Sequence, residues 1–562
     1  MDNSAPDNWD VIIVGAGPTG LTLANILGRY GVKTLLVEQL ADIIAYPRGV
    51  GMDDEALRTF QSLGIVDKII EHTTPFHWMR FIWPSGRVMA SMEPQAKPYG
   101  WSRRNAFNQP LVDRVLYTGL DRYPSVEVRF ETRLVSVRQD DNNAIATVEH
   151  IASAEHIELK ARYIVGTDGG RSEVRAHMGV TFDGKTAPDK FVVVDIRNDP
   201  IGRPNGEFHL DPHRPYVSIA LPGGIRRLEF SVNDDEISNE IDVADDALKK
   251  KYEGIFSDSE FNRLDHIRRR VYSHNARIAS SFRTGRLLLA GDAAHLMPVW
   301  QGQGFNTGIR DATNLGWKLA FVVNGFAGEQ LLDTYTDERH PHAKQMIDVS
   351  VLIGRIFAPR SFLARTVRDI VFNTAALVPS WKRYITTMGW KPMPRFTRGA
   401  IIPSKYKNGK SGTIFFQPDV CGADGKIKKL DDALGNGPSV ISWGSDVCAY
   451  LTPEEIASWR AIGGEFFTLF PSVQRDVVMK SKVGSVPLFD PDGKVKSALD
   501  NEPSTVFIIR PDRIIAAVAR PVNISETLNA VLDATSIHPL VSEREPTSED
   551  ARQPQDERIQ TA

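Results

Sequence analysis

Apolar residues recur along this chain in two rhythms, and the places where one gives way to the other mark its parts. Val11–Val14 is an unbroken apolar run and predicts a short buried strand. Leu21–Tyr30 then spaces its apolar residues for a helix, Gly31 supplies a stop, and Lys33–Val37 predicts a second strand that ends at Glu38. Further helices are expected over Asp53–Leu63 and Gln109–Tyr123, and strands within Val126–Glu149 and at Tyr163–Gly166. Between Gly179 and Arg277 the pattern becomes strands with turns, among them Phe191–Arg197, Tyr216–Leu221 and Arg227–Val232, as for a β-rich lid over a site. Leu287–Ala290 restores the α/β rhythm, and long helices follow from about Gly304 to Pro379. Pro392–Gly412 reads as a linker. Beyond it, strands at Val440–Trp443, Phe466–Phe470, Thr505–Ile509 and Ile514–Val518, with helices at Pro453–Ile462 and Glu526–Ala534, predict a smaller α/β unit.

The expected fold class is therefore α/β. A Rossmann-type nucleotide-binding domain is split into residues 1–178 and 278–391, around a β-rich substrate domain at 179–277. A C-terminal domain spans 392–541, and 542–562 form a charged, disordered tail.

Composition narrows the partners. Of 562 residues, 42% are hydrophobic and 24% charged, and the net charge of -3 provides no field to gather nucleic acid or anionic lipid. Neither is an expected partner, and the chain is compatible with a homo-oligomer. Cys421 and Cys448 are too few for a disulfide framework and form no Cys-x-x-Cys, so no metal is expected. The polar, acidic start Met1-Asp2-Asn3-Ser4 is not a secretory signal, and no apolar run reaches the ~20 residues that cross a bilayer. A reducing cytoplasm is the expected location.

Three motifs carry the chemistry. Gly15-Ala16-Gly17-Pro18-Thr19-Gly20 fits G-x-G-x-x-G: a tight turn, a close approach for a pyrophosphate, and close helix–strand packing. Glu38, at the end of the second strand, can accept hydrogen bonds from a ribose hydroxyl. Alone, this unit admits NAD as well as FAD. Gly291-Asp292 follows a strand and offers a carboxylate to a sugar-alcohol chain; the competing reading is an ordinary turn. Gly302-Gln303-Gly304-Phe305-Asn306 opens a long helix, whose N-terminus would favour negative charge on the N1–C2=O edge of a reduced flavin. The combination suits FAD better than a nicotinamide. The third motif, Asp168-Gly169, is equally readable as a helix cap.

In this order the three motifs resemble those of the class A flavoprotein aromatic hydroxylases. The likeness extends through Tyr46-Pro47-Arg48, Asp53–Thr59, Arg103–Gln109, Lys185–Pro188 and Met297–Gly304, and covers nearly the whole chain. Ile509–Arg513 resembles a segment of that family's thioredoxin-like C-terminal domain. The resemblance implies an FAD enzyme that consumes NADH or NADPH and O2 and hydroxylates a small phenolic acid ortho to its hydroxyl. A different phenol, or a flavoprotein that does not hydroxylate, remains the alternative. By matching position, Gly15, Ala16, Gly17, Pro18, Thr19, Gly20 and Glu38 should hold the ADP half of FAD. Arg48, Gln109, Gly291 and Asp292 should touch it further along. Pro298, Gly302, Gly304, Phe305 and Asn306 should flank the flavin ring, and Asp168 is assigned to the cofactor or to NAD(P)H.

Hydroxylation beside a hydroxyl is easier on a phenolate, so a base is expected near the substrate oxygen. The resemblance points to Asp53, against the reading that Asp53, Asp54 and Glu55 complement the positive end of a helix. Tyr216 and Tyr272 are expected to orient the substrate hydroxyl. His209, His295 and Trp300 are weighed as site or core residues. An arginine should meet the substrate carboxylate, with Arg214 one candidate among many.

Overall fold

A computed structural model of the chain describes residues 8–538, except 212–214, 240–241, 358–360, 376, 405–408 and 500–504. Arg214 and the expected charged tail lie outside the described residues.

Strand β1 (Asn8–Val14) is central, and Val11, Ile12 and Ile13 are fully buried, as a parallel strand covered on both faces requires. Helix α1 (Pro18–Arg29) crosses from it to β2 (Thr34–Val37), which pairs with it in parallel. On its other side β1 pairs in parallel with Glu155–Gly166, and that strand in turn with Leu287–Leu289. The three strands that lead into the glycine turn, Asp168-Gly169 and Gly291-Asp292 are thus adjacent and parallel. Their C-terminal ends open on one edge of the sheet, where α/β folds bind their ligands.

Helix α2 (Asp54–Ser62) and strand β3 (Asn105–Phe107) flank that edge, with β3 paired to Gly51–Met52 and Thr73–Pro75. The 20-residue helix α3 (Gly304–Val323) runs along α1, and Gly316 allows the approach: a Cβ there would stand 2.6 Å from the Ile26 side chain.

The β-rich unit is an eight-stranded sheet, and it draws strands from outside residues 179–277 as well as from within them. Strands Phe182–Arg197, Gly206–His209, Tyr216–Leu221, Ile225–Val232 and Asp265–Ala279 are joined by Met79–Ile82, Val88–Met92 and His295–Leu296. Gly206–His209 would otherwise present an open edge, and pairing it in parallel with Met79–Ile82 satisfies its backbone. Such a pairing across more than a hundred residues leaves no local sequence trace. One face of the sheet packs Val192, Val194, Leu228 and Phe230 against Leu248 and Tyr252. The other turns Met79, Phe81, Phe208, Ile219 and Leu221 toward Trp300 and Val50.

In the C-terminal unit Ser439–Trp443 and Glu465–Pro471 are parallel neighbours, and Val506–Ile509 and Ile515–Ala519 add an antiparallel hairpin. Phe467, Leu469 and Phe507 form its own core. Buried ion pairs dock it on the rest of the chain: Arg510 with Glu338 at 2.7 Å and Arg58 with Asp431 at 2.6 Å. Among the described residues no helix is long and apolar enough to cross a membrane.

Candidate functional site

The glycine turn is built by exclusion. Gly15 has φ +104°, and a Cβ there would lie 2.7 Å from the Thr167 carbonyl oxygen; at Gly20 it would lie 2.1 Å from that of Gly15. Gly17 is different, because a Cβ would meet nothing within 4 Å. The room beside it lies at the start of α1, where Pro18 occupies the first turn and no side chain caps the helix. Free helix-terminal amides beside open space suit a pyrophosphate. Thr19 packs so closely on Gly291 and Gly308 that a Cβ at either would fall within 2.6 Å of its hydroxyl, which locks the turn against the Gly291-Asp292 motif. The Glu38 carboxylate accepts from the amides of Ala16 (2.8 Å) and Leu40 (3.0 Å), and so stands across the turn.

Asp292 is half-exposed, with Arg48 Nη2 at 3.4 Å. Gly291 N donates to Asp311 (3.0 Å), which also takes His295 (2.7 Å) and Arg339 (2.8 Å). Burial alone would raise the Asp311 carboxyl; His295 and Arg339 hold it down at about 2. His295 is therefore a buried structural partner. The loop that carries Arg48 is gripped from two sides. Gln109 Oε1 accepts from the amides of Arg48 (3.2 Å) and Gly49 (2.6 Å), while Arg227 and Arg268 donate to the Pro47 carbonyl at 2.5 and 2.8 Å. Gln109 is expected to touch the cofactor; its buried amide also engages this loop and Asp113.

At the other end of the cleft the Pro298 carbonyl accepts from Ser350 (2.7 Å), and Gly302 (φ +63°) turns the chain into α3. The start of α3, at Gly304, has no side-chain cap. Phe305 packs on Phe107, with ring centroids 4.7 Å apart. Asn306 ties the neighbouring loop down: Nδ2 donates to Gly51 O (2.9 Å) and Gly302 O (3.1 Å), and Oδ1 accepts from Asp53 N (2.9 Å).

Two expectations are corrected, and a third is qualified. Asp168 accepts from Glu173 N (2.7 Å) and Val174 N (3.3 Å) through Oδ2 alone, which holds the start of the following short helix, while its Oδ1 is buried without a hydrogen-bond partner. Tyr216 lies on the Leu228–Phe230 face of its sheet, turned away from Trp300, and stacks on His209 (4.2 Å) and Phe230 (5.6 Å). Strand alternation decides this, since Val217 and Ile219 take the opposite face. Asp53 caps α2 by accepting from Ala56 N (3.1 Å), and its second oxygen pairs with Arg310 and with Lys391 (2.8 Å). Glu55 joins the same two cations at 2.7 and 3.1 Å. An aspartate that caps a helix and pairs with two interior cations is committed to holding the fold together.

The third acid of that run differs. Both Asp54 oxygens are buried without a hydrogen-bond partner, and the nearest cation, Arg103, is 4.0 Å away. Burial pushes its carboxyl up to about 6. An acid whose folded pKa is raised contributes its stability at low pH and loses it as pH rises through that value. The native chain should therefore lose stability between about pH 4 and pH 6 relative to Asp54→Asn, in paired melts across that range.

Tyr272 does lie in the cleft. It lines a space of about 690 Å³ together with Arg48, Asp292, Arg171, Arg270 and Arg277. Its hydroxyl donates to Glu229 at 2.9 Å. Burial raises the Glu229 carboxyl, and Arg227, at 3.9 Å, opposes the shift only in part. Phe191 and His274 lie beside Tyr272 and lead to Trp300. The sequence reading omits Glu229, although strand alternation carries the signal: Arg227 and Glu229 face opposite to Leu228 and Phe230. Asp195, which pairs with Arg227 at 2.7 Å, is legible in the same way.

The chain is similar to known flavoproteins over most of its length. The FAD binding domain family matches residues 8–350, and the HcaD C-terminal domain family matches 412–534. The 3-(3-hydroxy-phenyl)propionate/3-hydroxycinnamic acid hydroxylase of Mycolicibacterium gilvum is 47% identical, across 94% of this chain and 92% of its own. Its namesake from Paraburkholderia xenovorans is 43% identical over the same shares. Among solved structures, the flavin-dependent monooxygenase PieE, in complex with FAD and substrate, superposes with a TM-score of 0.77 at 21% identity, covering 94% of this chain and all of its own. Aklavinone-11 hydroxylase, with FAD and aklavinone, gives 0.74 at 22% identity over 95% and 100%.

Proposed function

Because the chain belongs to the FAD-dependent aromatic monooxygenases, we propose that it hydroxylates 3-(3-hydroxyphenyl)propionate, or the matching cinnamic acid, ortho to its hydroxyl. The product from the saturated acid would be 3-(2,3-dihydroxyphenyl)propionate, with NAD(P)H and O2 consumed.

Gly15, Gly17, Gly20 and Glu38 would hold the ADP half of FAD, Asp292 its ribityl chain, and the open start of α3 its N1–C2=O edge. Bound FAD, reduced by NAD(P)H, supplies the activated oxygen; the chain's part is to bind, orient, exclude water and move a proton. Arg171, Arg270 and Arg277 in the cleft suit the phosphates of NAD(P)H. The wall of Phe191, Phe208 and Trp300 suits an aromatic ring.

The observation that carries the reading is the Tyr272–Glu229 hydrogen bond, whose tyrosine lines the same cleft as Asp292. The Tyr272 oxygen can accept from a substrate phenol while its own proton moves to Glu229. The phenol is then an electron-rich phenolate as oxygen arrives. Asp53 is thereby replaced as the base.

The test is a panel of phenolic acids given to the FAD-loaded enzyme, scored for stimulated NAD(P)H oxidation with product identification. The meta-hydroxylated phenylpropanoid acids should be turned over fastest, with oxidation matched by catechol product. Rapid turnover of an unrelated phenol, with none of these acids converted, would overturn the substrate assignment.

A further inference from the structure

We propose that Arg104 receives the carboxylate of the substrate side chain, an assignment that rests on the phenolic-acid reading above. Most large buried cations of this protein already face a carboxylate. Arg58, Arg226, Arg227, Arg310 and Arg510 each pair with one at 2.6–2.7 Å. Arg104, which is half-buried, does not: its Nε is enclosed with no hydrogen-bond partner, and its side chain makes no ion pair among the described residues. Burial, with no anion to oppose it, pushes the guanidinium down to about 10. It remains a cation at any working pH, and a partly enclosed cation without a counter-charge is left with an unmet need that a ligand's carboxylate would supply.

Its position fits that ligand. Arg104 immediately precedes β3, and strand alternation puts its side chain on the same face as Ala106, which belongs to the apolar cluster of Met79, Phe208 and Trp300. Across the small sheet Ala106 pairs with Gly51, whose carbonyl is held by Asn306 at the start of α3. Two strand residues span ~7 Å, a distance that the arginine side chain and a propionate or propenoate side chain can bridge together from a ring beside that cluster. The neighbouring His77 is 2% exposed, and its Nε2 also lacks a partner. Burial and the Arg104 charge push it down to about 3, so it is neutral and leaves Arg104 the charge that selects an acid. A guanidinium presents a planar fork that matches a carboxylate through two parallel hydrogen bonds.

The test compares the FAD-loaded native enzyme with Arg104→Met, Arg104→Gln and Arg104→Lys on 3-(3-hydroxyphenyl)propionate and on the neutral 3-(3-hydroxyphenyl)propan-1-ol. The methionine and glutamine variants should raise KM for the acid about tenfold to a hundredfold, the range for a charged hydrogen bond, with KM for the alcohol little changed. Lysine should recover part of the loss. Equal losses on acid and alcohol, or an unchanged KM for the acid, would overturn the assignment. Titration with 3-phenylpropionate, followed by the flavin absorbance, reads binding without turnover. If the native enzyme converts no phenolic acid, the proposed function falls. Arg104 is then judged by this titration alone: weaker binding in the variants supports it, and unchanged binding overturns it. If methionine prevents FAD loading, the glutamine and lysine variants decide.

Discussion

Arg310→Met is expected to lower stability by about 3–5 kcal/mol, the usual cost of removing one partner from a buried charge cluster. Arg310 sits on α3 and reaches Asp53 and Glu55 on the α2 side, with Lys391 completing the set. Burial would push the Glu55 carboxyl up, but the two cations hold it well below the ordinary range. Without Arg310, Lys391 and the more distant Arg103 would face three interior acids, one of them already without a hydrogen-bond partner. The same cluster fixes the Asp53–Asn306 hydrogen bond that seats the start of α3. FAD retention should therefore fall together with the melting temperature. Arg48→Met is the control: its pair with Asp292 is long, at 3.4 Å, and half-exposed, so it should cost no more than about 1 kcal/mol. Similar melting temperatures for the two variants would contradict this account of the cluster.

How far the sequence could be read follows from the distance over which each feature is specified. Strand β1, α1 and β2 are local: an apolar run, a glycine turn and a helical period fall within forty residues, and the structure places them as read. The alignment of Gly15, Asp168 and Gly291 at one sheet edge also follows, because a strand that ends in a motif must deliver it to its C-terminal end. The hairpin that joins Met79–Met92 to the β-rich sheet was not legible, since strand pairing across a hundred residues depends on an edge that only the assembled fold exposes. Asp53 and Tyr216 show the same limit at single residues. A carboxylate in a helix's first turn reads identically whether or not an arginine 257 positions away comes to meet it. A tyrosine in an alternating strand reads the same whichever face is turned to the cleft. Glu229 was open to inference, because a charged residue between Leu228 and Phe230 must occupy the opposite face from the apolar core.

Glu229→Gln and Tyr272→Phe are each expected to lower the hydroxylation rate by a factor of about 10²–10⁴, the range for losing a positioned acid–base group. The effect should fall on product formation, while NAD(P)H oxidation continues and its electrons reduce O2 to hydrogen peroxide. Burial, the larger influence on Glu229, raises its carboxyl, and Arg227 opposes it. A carboxyl accepts a proton only when ionised, so hydroxylation by the native enzyme should fall on the acid side with a midpoint above that of an ordinary glutamate. Glu229→Gln removes the titrating group and should abolish that limb along with most of the rate. Tyr272→Phe leaves Glu229 without the hydroxyl that now donates to it at 2.9 Å, so its carboxyl should rise further and any residual acid limb should move to higher pH. A structural role for the pair would instead depress FAD binding and NAD(P)H oxidation together and leave the ratio of product to NAD(P)H unchanged. That ratio, measured across pH for both variants, separates proton transfer from packing at this site.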